Sequence, residues 1–351
     1  MTRILTDPKL DFRDVLLVPK RSELSSRGEV SLERTYRFKN SKATWTGIGI
    51  VAANMDGVGT IEVAKILSSQ RLMTSLVKHY DLATLISYFN IEENQEYTAY
   101  SLGISEDDLV KFENFKQKAR AKFVTIDVAN GYSQKFIDFV SSFREANPEI
   151  ILIAGNVATP EIVEQLLVSG ADIVKVGIGS GNACSTRIKT GVGYPQLSAV
   201  MECADAAHGM GGHIISDGGI TCPGDVAKAF GGGADFVMLG SFLAGTDEGG
   251  GAILIDPETG KKYIQFYGMS SKTAQDKHGS GLSEYRASEG RVIKVPYKGS
   301  IDPIVRDLLG GLRSACTYTG SRNLKELPKR TTFCLVQQQI STLYGVGELM
   351  S

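Results

Sequence analysis

The chain alternates between short apolar runs and segments of helical periodicity. Eight runs bounded by turn residues predict strands over residues 46–54, 72–79, 99–104, 123–127, 150–156, 171–178, 213–217 and 235–240. Most are continuously apolar rather than alternating, the pattern of strands covered on both faces of a parallel sheet. Between them, apolar residues recur at helical spacing. Residues 60–67 follow the first run, and Phe136, Phe139, Val140 and Phe143 share one helical face after the fourth. Pro160, Pro195 and Pro223 stand where helices open and a missing N–H costs nothing, while Gly170, Gly211 and Gly231 to Gly233 stand where helices stop. Eight strand–helix units in 351 residues predict an α/β chain folded as a single (β/α)8 TIM barrel. A doubly wound sheet is the alternative. It calls for fewer units and a glycine fingerprint after the first strand, where this chain reads Ala52-Ala53-Asn54-Met55-Asp56.

Two connections break the regular spacing. A glycine-rich loop over 179–193 follows the sixth strand, and about 60 residues, from Ser241 to Ile301, follow the eighth. Long loops in compact domains are usually functional, and both belong to the barrel face that carries chemistry. The remainder reads as an N-terminal arm, about 1–42, and a polar tail, about 320–351, on one domain.

Composition narrows the function. Lys and Arg number 38 against 39 Asp and Glu, a formal charge of −1, which lacks the electrostatic footprint of a nucleic-acid or membrane-surface binder. No apolar run is long enough to span a bilayer and the first residues show no secretory signal. Five widely spaced cysteines fit neither a disulfide framework nor a zinc ribbon, so a reduced, cytoplasmic protein is expected.

Polar residues cluster where the predicted strands end: Asn54 and Asp56, Lys78 and His79, Asp127 and Asn130, Asn156, Cys184, and Asp217-Gly218-Gly219. Any one suits a structural role; the set predicts a catalytic mouth. Cys184 lies in Gly177-Ile178-Gly179-Ser180-Gly181-Asn182-Ala183-Cys184-Ser185-Thr186-Arg187, with Arg187 and Lys189 placed to lower a thiol pKa. From the residues alone it is either a nucleophile or a structural thiol. Cys203, Cys222, Cys316 and Cys334 read as small core fillers. The loops Ser216-Asp217-Gly218-Gly219 and Leu239-Gly240-Ser241 either build a phosphate site from backbone amides, with Asp217 on a ribose, or merely turn tightly. Four histidines without ligand spacing speak against metal chemistry, although the carbonyls of Gly179, Gly181 and Cys184 are suited to a monovalent cation.

These residues carry a resemblance. Phe12-Arg13-Asp14-Val15-Leu16, Ala52-Ala53-Asn54-Met55-Asp56, the Cys184 loop, Ser216-Asp217-Gly218-Gly219, Tyr267-Gly268-Met269-Ser270-Ser271 and Tyr285-Arg286-Ala287-Ser288-Glu289-Gly290 resemble the IMP dehydrogenase/GMP reductase family, in order from about Phe12 to Phe333. The chain has no room for the regulatory domain usually inserted in the dehydrogenases. Its Thr190-Gly191-Val192-Gly193-Tyr194-Pro195 and its Arg286-Ala287-Ser288-Glu289-Gly290 resemble the reductase branch. Asn182-Ala183-Cys184-Ser185 departs from the more usual Ser-Val-Cys-Thr type of run.

The resemblance implies reduction of GMP by NADPH to IMP and ammonia in a cytoplasmic homotetramer. It implies Cys184 as the nucleophile at purine C2, forming a covalent thioimidate, with Thr186 and Glu289 protonating the departing amine. Nucleotide contacts would be Asp217, Gly218, Gly219, Gly240, Ser241, Gly268, Met269, Ser270, Arg286, Ala287, Ser288 and Gly290. NADPH would meet Lys78, Asp127, Val128, Ala129, Ile178, Gly179 and Tyr285, completed from a neighbouring subunit by Ser26, Arg27, Ser314, Ala315, Cys316 and Thr317. A potassium-like ion would sit on Gly179, Gly181 and Cys184, with Arg187 close by. A compact IMP dehydrogenase and a catalytically idle nucleotide-binding barrel are the alternatives; the idle barrel has no use for Cys184, Thr186 and Glu289.

Overall fold

A computed structural model describes residues 4–278 and 288–337. Eight parallel strands close into a barrel: β1 (Ile50–Ala52), β2 (Met73–Ser75), β3 (Thr98–Leu102), β4 (Phe123–Asp127), β5 (Ile151–Val157), β6 (Ile173–Val176), β7 (His213–Asp217) and β8 (Phe236–Leu239). Closure is made by β8 against β1, with Val237 opposite Ile50 and Leu239 opposite Ala52. Six strands lie inside their predicted runs, and the other two overrun theirs by one residue, β3 at Thr98 and β5 at Val157. Nearly every strand residue is buried, as strands wrapped by helices outside and filled by side chains inside must be.

One helix follows each strand on the outer wall: α1 (Ile61–Ser69), α2 (Leu82–Phe89), α3 (Glu106–Lys116), α4 (Gln134–Ala146), α5 (Pro160–Val168), α6 (Gln196–Gly209), α7 (Pro223–Gly231) and α8 (Ile301–Thr319). Side-chain caps start several of them. Thr60, Asp81, Ser105 and Ser133 each accept from a backbone N–H of the first turn. Pro160 and Pro223 occupy the first helical turn as predicted, whereas Pro195 is the cap residue before α6. In α4 the buried stripe is Phe136, Ile137, Val140 and Phe143, with Phe139 at its margin.

The segments outside the barrel seal it. An antiparallel hairpin, Arg34–Arg37 with Thr44–Gly47, closes the N-terminal end of the barrel. Its Tyr36 stacks on Phe236 at 4.5 Å and its Trp45 meets Phe123 edge-on at 5.9 Å, covering the first residues of β8 and β4. The predicted arm and tail pair with each other: Val15–Leu17 runs antiparallel to Phe333–Leu335.

The connection after β8 is not the plain loop that its composition suggests. It holds a three-stranded antiparallel sheet, Ile253–Ile255, Lys262–Tyr267 and Val292–Pro296, and a short helix, Lys272–Lys277, and forms a flap over the barrel mouth. Tyr285, Arg286 and Ala287 lie outside the described residues. The cysteines divide in two. Cys203 and Cys316 are buried fillers, but Cys222 and Cys334 are exposed, correcting the expectation that all four fill the core. No helix among the described residues is long and apolar enough to cross a membrane.

Candidate active site

The C-terminal ends of the strands surround a deep cavity. Cys184, Thr186 and Glu289 share its wall, brought there by two different loops. The Cys loop after β6 turns through Gly179 and ends in a short helix, Thr186–Thr190. The descending arm of the flap lies against it in antiparallel fashion: Ser185 N donates to Glu289 O at 2.8 Å, and Arg291 N donates to Ala183 O at 3.0 Å. Arg291 Nε adds a bond to Asn182 O at 2.9 Å. This pairing fixes the side chains. The Cys184 thiol donates to Thr186 Oγ1 at 3.2 Å, and Thr186 Oγ1 donates to Glu289 Oε2 at 2.7 Å. Thiol, hydroxyl and carboxylate form a continuous proton path.

The sequence placed Arg187 beside the thiol, but its guanidinium is committed elsewhere. It donates to Asp11 at 3.2 Å and to the carbonyl of Tyr194 at 2.7 Å. Asp11 also accepts from Gln196 N at 2.6 Å, so the arm staples the Cys loop to the start of α6. Nothing in the local sequence around Asp11 signals this role.

The ends of β7 and β8 contribute Asp217, Gly218, Gly219, Gly240 and Ser241 to the cavity wall, and the flap contributes Gly268, Met269, Ser270 and Gly290. Gly218 has φ +102°, and a Cβ there would stand 2.4 Å from Ser180 Oγ, so only glycine allows the loop this close to the Cys loop. Ser241 Oγ accepts from Asn182 Nδ2 at 3.0 Å, tying the β8 loop to the same Cys loop. Successive backbone amides at two such turns suit a phosphate. Ser288 supports the flap instead: its Oγ accepts from Lys272 N at 3.1 Å.

The cavity floor is polar. Asp127, Asn54, Asn156, Asp217 and Lys175 line it, with Val128, Ala129, Ile178 and Gly179 toward one side. Lys175 is 2% exposed and its Nζ lies 2.8 Å from Asp127 and 3.5 Å from Asp217. Burial disfavours its cation, but the charges of Asp127 and Asp217 outweigh burial and raise its pKa. Burial likewise opposes the Asp127 carboxylate, yet Lys175 and the Asn54 amide hold its pKa below the usual range. Lys175 escaped the sequence reading because it is one polar residue in an otherwise apolar strand, Ile173–Val176. That interruption is the signal.

At the rim, one carboxylate gathers the flap. Asp56, after β1, accepts from Tyr267 Oη at 2.7 Å, Lys277 Nζ at 3.1 Å and His278 Nε2 at 2.8 Å. His278 stacks on His79 with ring centroids 3.4 Å apart. Burial, together with the charges of His278 and Lys78, pushes His79 down to about 4, so it is neutral at physiological pH. Burial opposes the Asp56 carboxylate too, but its three flap donors keep its pKa low.

Of the other proposed cofactor residues, those among the described residues do not line this cavity. Lys78 pairs with Asp108 at 3.4 Å. Ser26 and Arg27 are exposed at the start of a 3-10 turn that packs on α8, the helix that bears Ser314, Ala315, Cys316 and Thr317. They form a separate patch in which the Cys316 side chain is fully buried. Among the described residues no group of three or more His, Cys, Asp or Glu side chains is arranged to hold a metal ion. In the Cys loop the available donors are backbone carbonyls, of which that of Gly181 already accepts Cys184 N at 3.0 Å. A carbonyl donor set fits a monovalent cation better than a divalent one, which favours carboxylates.

Comparison with known proteins agrees with this geometry. The model of the IMP dehydrogenase / GMP reductase domain matches residues 9–342. The chain is 54% identical over 346 residues to a GMP reductase of Aeromonas hydrophila, covering 98% of this chain and 99% of that protein. It is 54% identical over 347 residues to human GMP reductase 2, covering 98% and 99%, and 53% identical to a Caenorhabditis elegans GMP reductase, covering 98% and 96%.

Proposed function

Because the chain belongs to the IMP dehydrogenase/GMP reductase family, we propose that it catalyses reduction of GMP by NADPH to IMP, ammonia and NADP. The observation that carries this reading is the proton path from Cys184 through Thr186 to Glu289 on the wall of a cavity with phosphate-binding turns.

The path accounts for each step that the protein must perform. Cys184 adds to purine C2 as its thiolate, and the Thr186–Glu289 pair, 2.7 Å apart, holds the proton for the amine's departure. The adduct breaks the conjugation at C2. Glu289 then passes the proton through Thr186 to the 2-amino group, the C–N bond breaks, and ammonia leaves a thioimidate on Cys184. NADPH supplies the hydride that reduces C2. The C–S bond breaks as IMP forms, and the thiolate is regenerated. Glu289 therefore serves amine departure, which an IMP dehydrogenase does not require.

The ribose is assigned to Asp217, the phosphate to Gly218, Gly219, Gly240 and Ser241, and the base to Met269 and the 286–290 segment. The nicotinamide half of NADPH is assigned to the Asp127 side of the cavity. Its far end is assigned to the Ser26, Arg27 and 314–317 patch of a neighbouring subunit in a homotetramer, since that patch is remote from its own cavity. A potassium-like ion is assigned to the carbonyls of Gly179, Gly181 and Cys184. The five free thiols are in keeping with a cytoplasmic protein. Mixing the protein with GMP and NADPH tests the reading: one ammonia released per NADPH oxidised is expected, and NADPH formation from IMP and NADP without any reaction of GMP would favour the dehydrogenase.

A further inference from the structure

We propose that Lys175 is a positioning residue that couples the two halves of the cavity, tying Asp217 and Asp127 to one buried ammonium so that filling either half weakens binding in the other. The proposal rests on the reading above, in which Asp217 meets the ribose of GMP and Asp127 meets the nicotinamide half of the cofactor.

Register explains how one side chain reaches both carboxylates. Asp127, Gly155 and Lys175 form a lateral row across β4, β5 and β6. A Cβ at Gly155 would stand 2.6 Å from Lys175 Cβ and 2.7 Å from Lys175 O. The middle strand thus presents no side chain, and the ammonium crosses it to Asp127 Oδ1 at 2.8 Å. On the other side β7 brings Asp217 Oδ2 to 3.5 Å. Asn54 Oδ1 is a third neighbour at 3.5 Å.

Each carboxylate is also held by an amide. Asn54 Nδ2 donates to Asp127 Oδ2 at 2.9 Å, and Asn156 Nδ2 donates to Asp217 Oδ2 at 2.8 Å. Both carboxylates stay partly open to the cavity, at 35% and 24% exposure, whereas the lysine is closed off. A ligand therefore reaches the two acids more readily than the cation.

A desolvated lysine is a poor choice for packing, because an apolar side chain of similar length fills the space without the cost of burying charge. Its value here is electrostatic. Two carboxylates share one cation, so each competes with the other for it. Ribose hydroxyls donating to Asp217 meet part of its demand, so the ammonium shifts toward Asp127 and leaves that carboxylate a weaker acceptor for cofactor hydroxyls. Cofactor hydroxyls at Asp127 have the reciprocal effect, as linkage requires.

The test uses full-length Cys184→Ala protein, which binds both ligands without turnover. Calorimetry gives GMP affinity with and without saturating NADPH. Saturating NADPH is expected to weaken GMP binding by about fivefold or more, within the usual range for linked sites. Adding Lys175→Met should bring the coupling to about one, while Lys175→Arg should keep most of it. If Lys175→Met does not fold, Lys175→Gln serves with the same expectation. Unchanged coupling in the neutral variant, or none in the Cys184→Ala parent, overturns the proposal. Asp217→Asn and Asp127→Asn separate the two layers of inference. Each should weaken its own ligand and abolish coupling. If either leaves its ligand's affinity unmoved, the subsite assignment itself fails; if both behave as expected while Lys175→Met retains coupling, only the role of Lys175 fails.

Discussion

Thr186 Oγ1 donates to Glu289 Oε2 across 2.7 Å, although 103 residues separate the two. The bond joins the Cys loop to the flap, and only backbone pairing between Ser185 and Glu289 and between Ala183 and Arg291 brings them into register. The Cys184–Thr186–Glu289 chain is therefore assembled from two loops, not inherited from one motif. Any change that loosens the flap should act first on the step that uses Glu289.

Replacing Cys184 by alanine should abolish turnover while GMP still binds. Loss of a nucleophile costs on the order of ~10³-fold or more in rate. The proposed binding contacts are made by the β7 and β8 turns and not by the thiol, so calorimetric affinity for GMP should change by less than about threefold, the scale of one weak hydrogen bond. Activity within tenfold of the parent would remove Cys184 from the mechanism.

Glu289→Gln should separate the half-reactions. General acid loss costs about 10²–10⁴ in rate, and GMP reduction should slow by that order. Hydride exchange between IMP and NADP needs Cys184 but no departing amine. Stopped-flow mixing of the variant with IMP and NADP should still give a burst of NADPH. Equal impairment of both reactions would instead make Glu289 a support for the flap.

Asp56→Asn should weaken the flap while leaving the β7 and β8 turns of the nucleotide site in place. Asp56 holds three flap donors, and hydrogen bonds to charged groups are worth about 1.5–3 kcal/mol each. Losing the equivalent of one should lower kcat/KM for GMP about ten- to a hundredfold. The IMP and NADP burst should survive, as for Glu289→Gln. Unchanged kcat/KM would show that the clasp does not hold the working flap.

A second buried carboxylate sets the pH range of stability. Asp235, just before β8, pairs with Arg34 at 2.9 Å, His208 at 2.8 Å and His213 at 3.2 Å. Burial alone would raise its pKa, but the bonds and charge of the two histidines drive it well below the usual carboxylate range. Its stabilisation is thus present above the unfolded value of about 3.9 and lost as pH falls toward its folded value. His208 runs the other way. The bond from Asp235 raises its pKa against burial, so its contribution is full below about 6.5 and is lost as pH rises through its higher folded value. Melting temperature should therefore decline on the alkaline side, and His208→Gln should flatten that decline. Asp235→Asn leaves buried positive groups unpaired and should cost about 3–5 kcal/mol. A pH–Tm profile identical in parent and His208→Gln would refute the assignment.

The far end of the cofactor should depend on assembly. Arg27 and the 314–317 segment sit on a patch separate from the cavity of their own chain. Specific activity should fall when the protein is diluted until sedimentation finds single chains. Arg27→Ala should raise KM for NADPH with little change in that for GMP. Full activity from single chains would defeat a shared site.

Much of this was legible in the chain itself. Strands buried on both faces must be apolar throughout, so all eight barrel strands stand out as apolar runs between turn residues. Glycines and polar groups at strand ends exposed the mouth, since a close backbone turn or a ligand contact demands particular residue types locally. Resemblance supplied Thr186 and Glu289 as partners. What local pattern did not reveal was pairing across the fold. Asp11 on Arg187, Asp56 on the flap, and Lys175 between Asp127 and Asp217 leave no periodicity, because each depends on where closure of the barrel sets distant strands. The arm and the flap were read as loops because their strands are short, and pairing makes them strands. Hydrophobic spacing determined which segments are strands and helices. Only the closed barrel, by bringing carboxylates from β4 and β7 within 3.5 Å of one buried ammonium on β6, decided which of its polar residues act together.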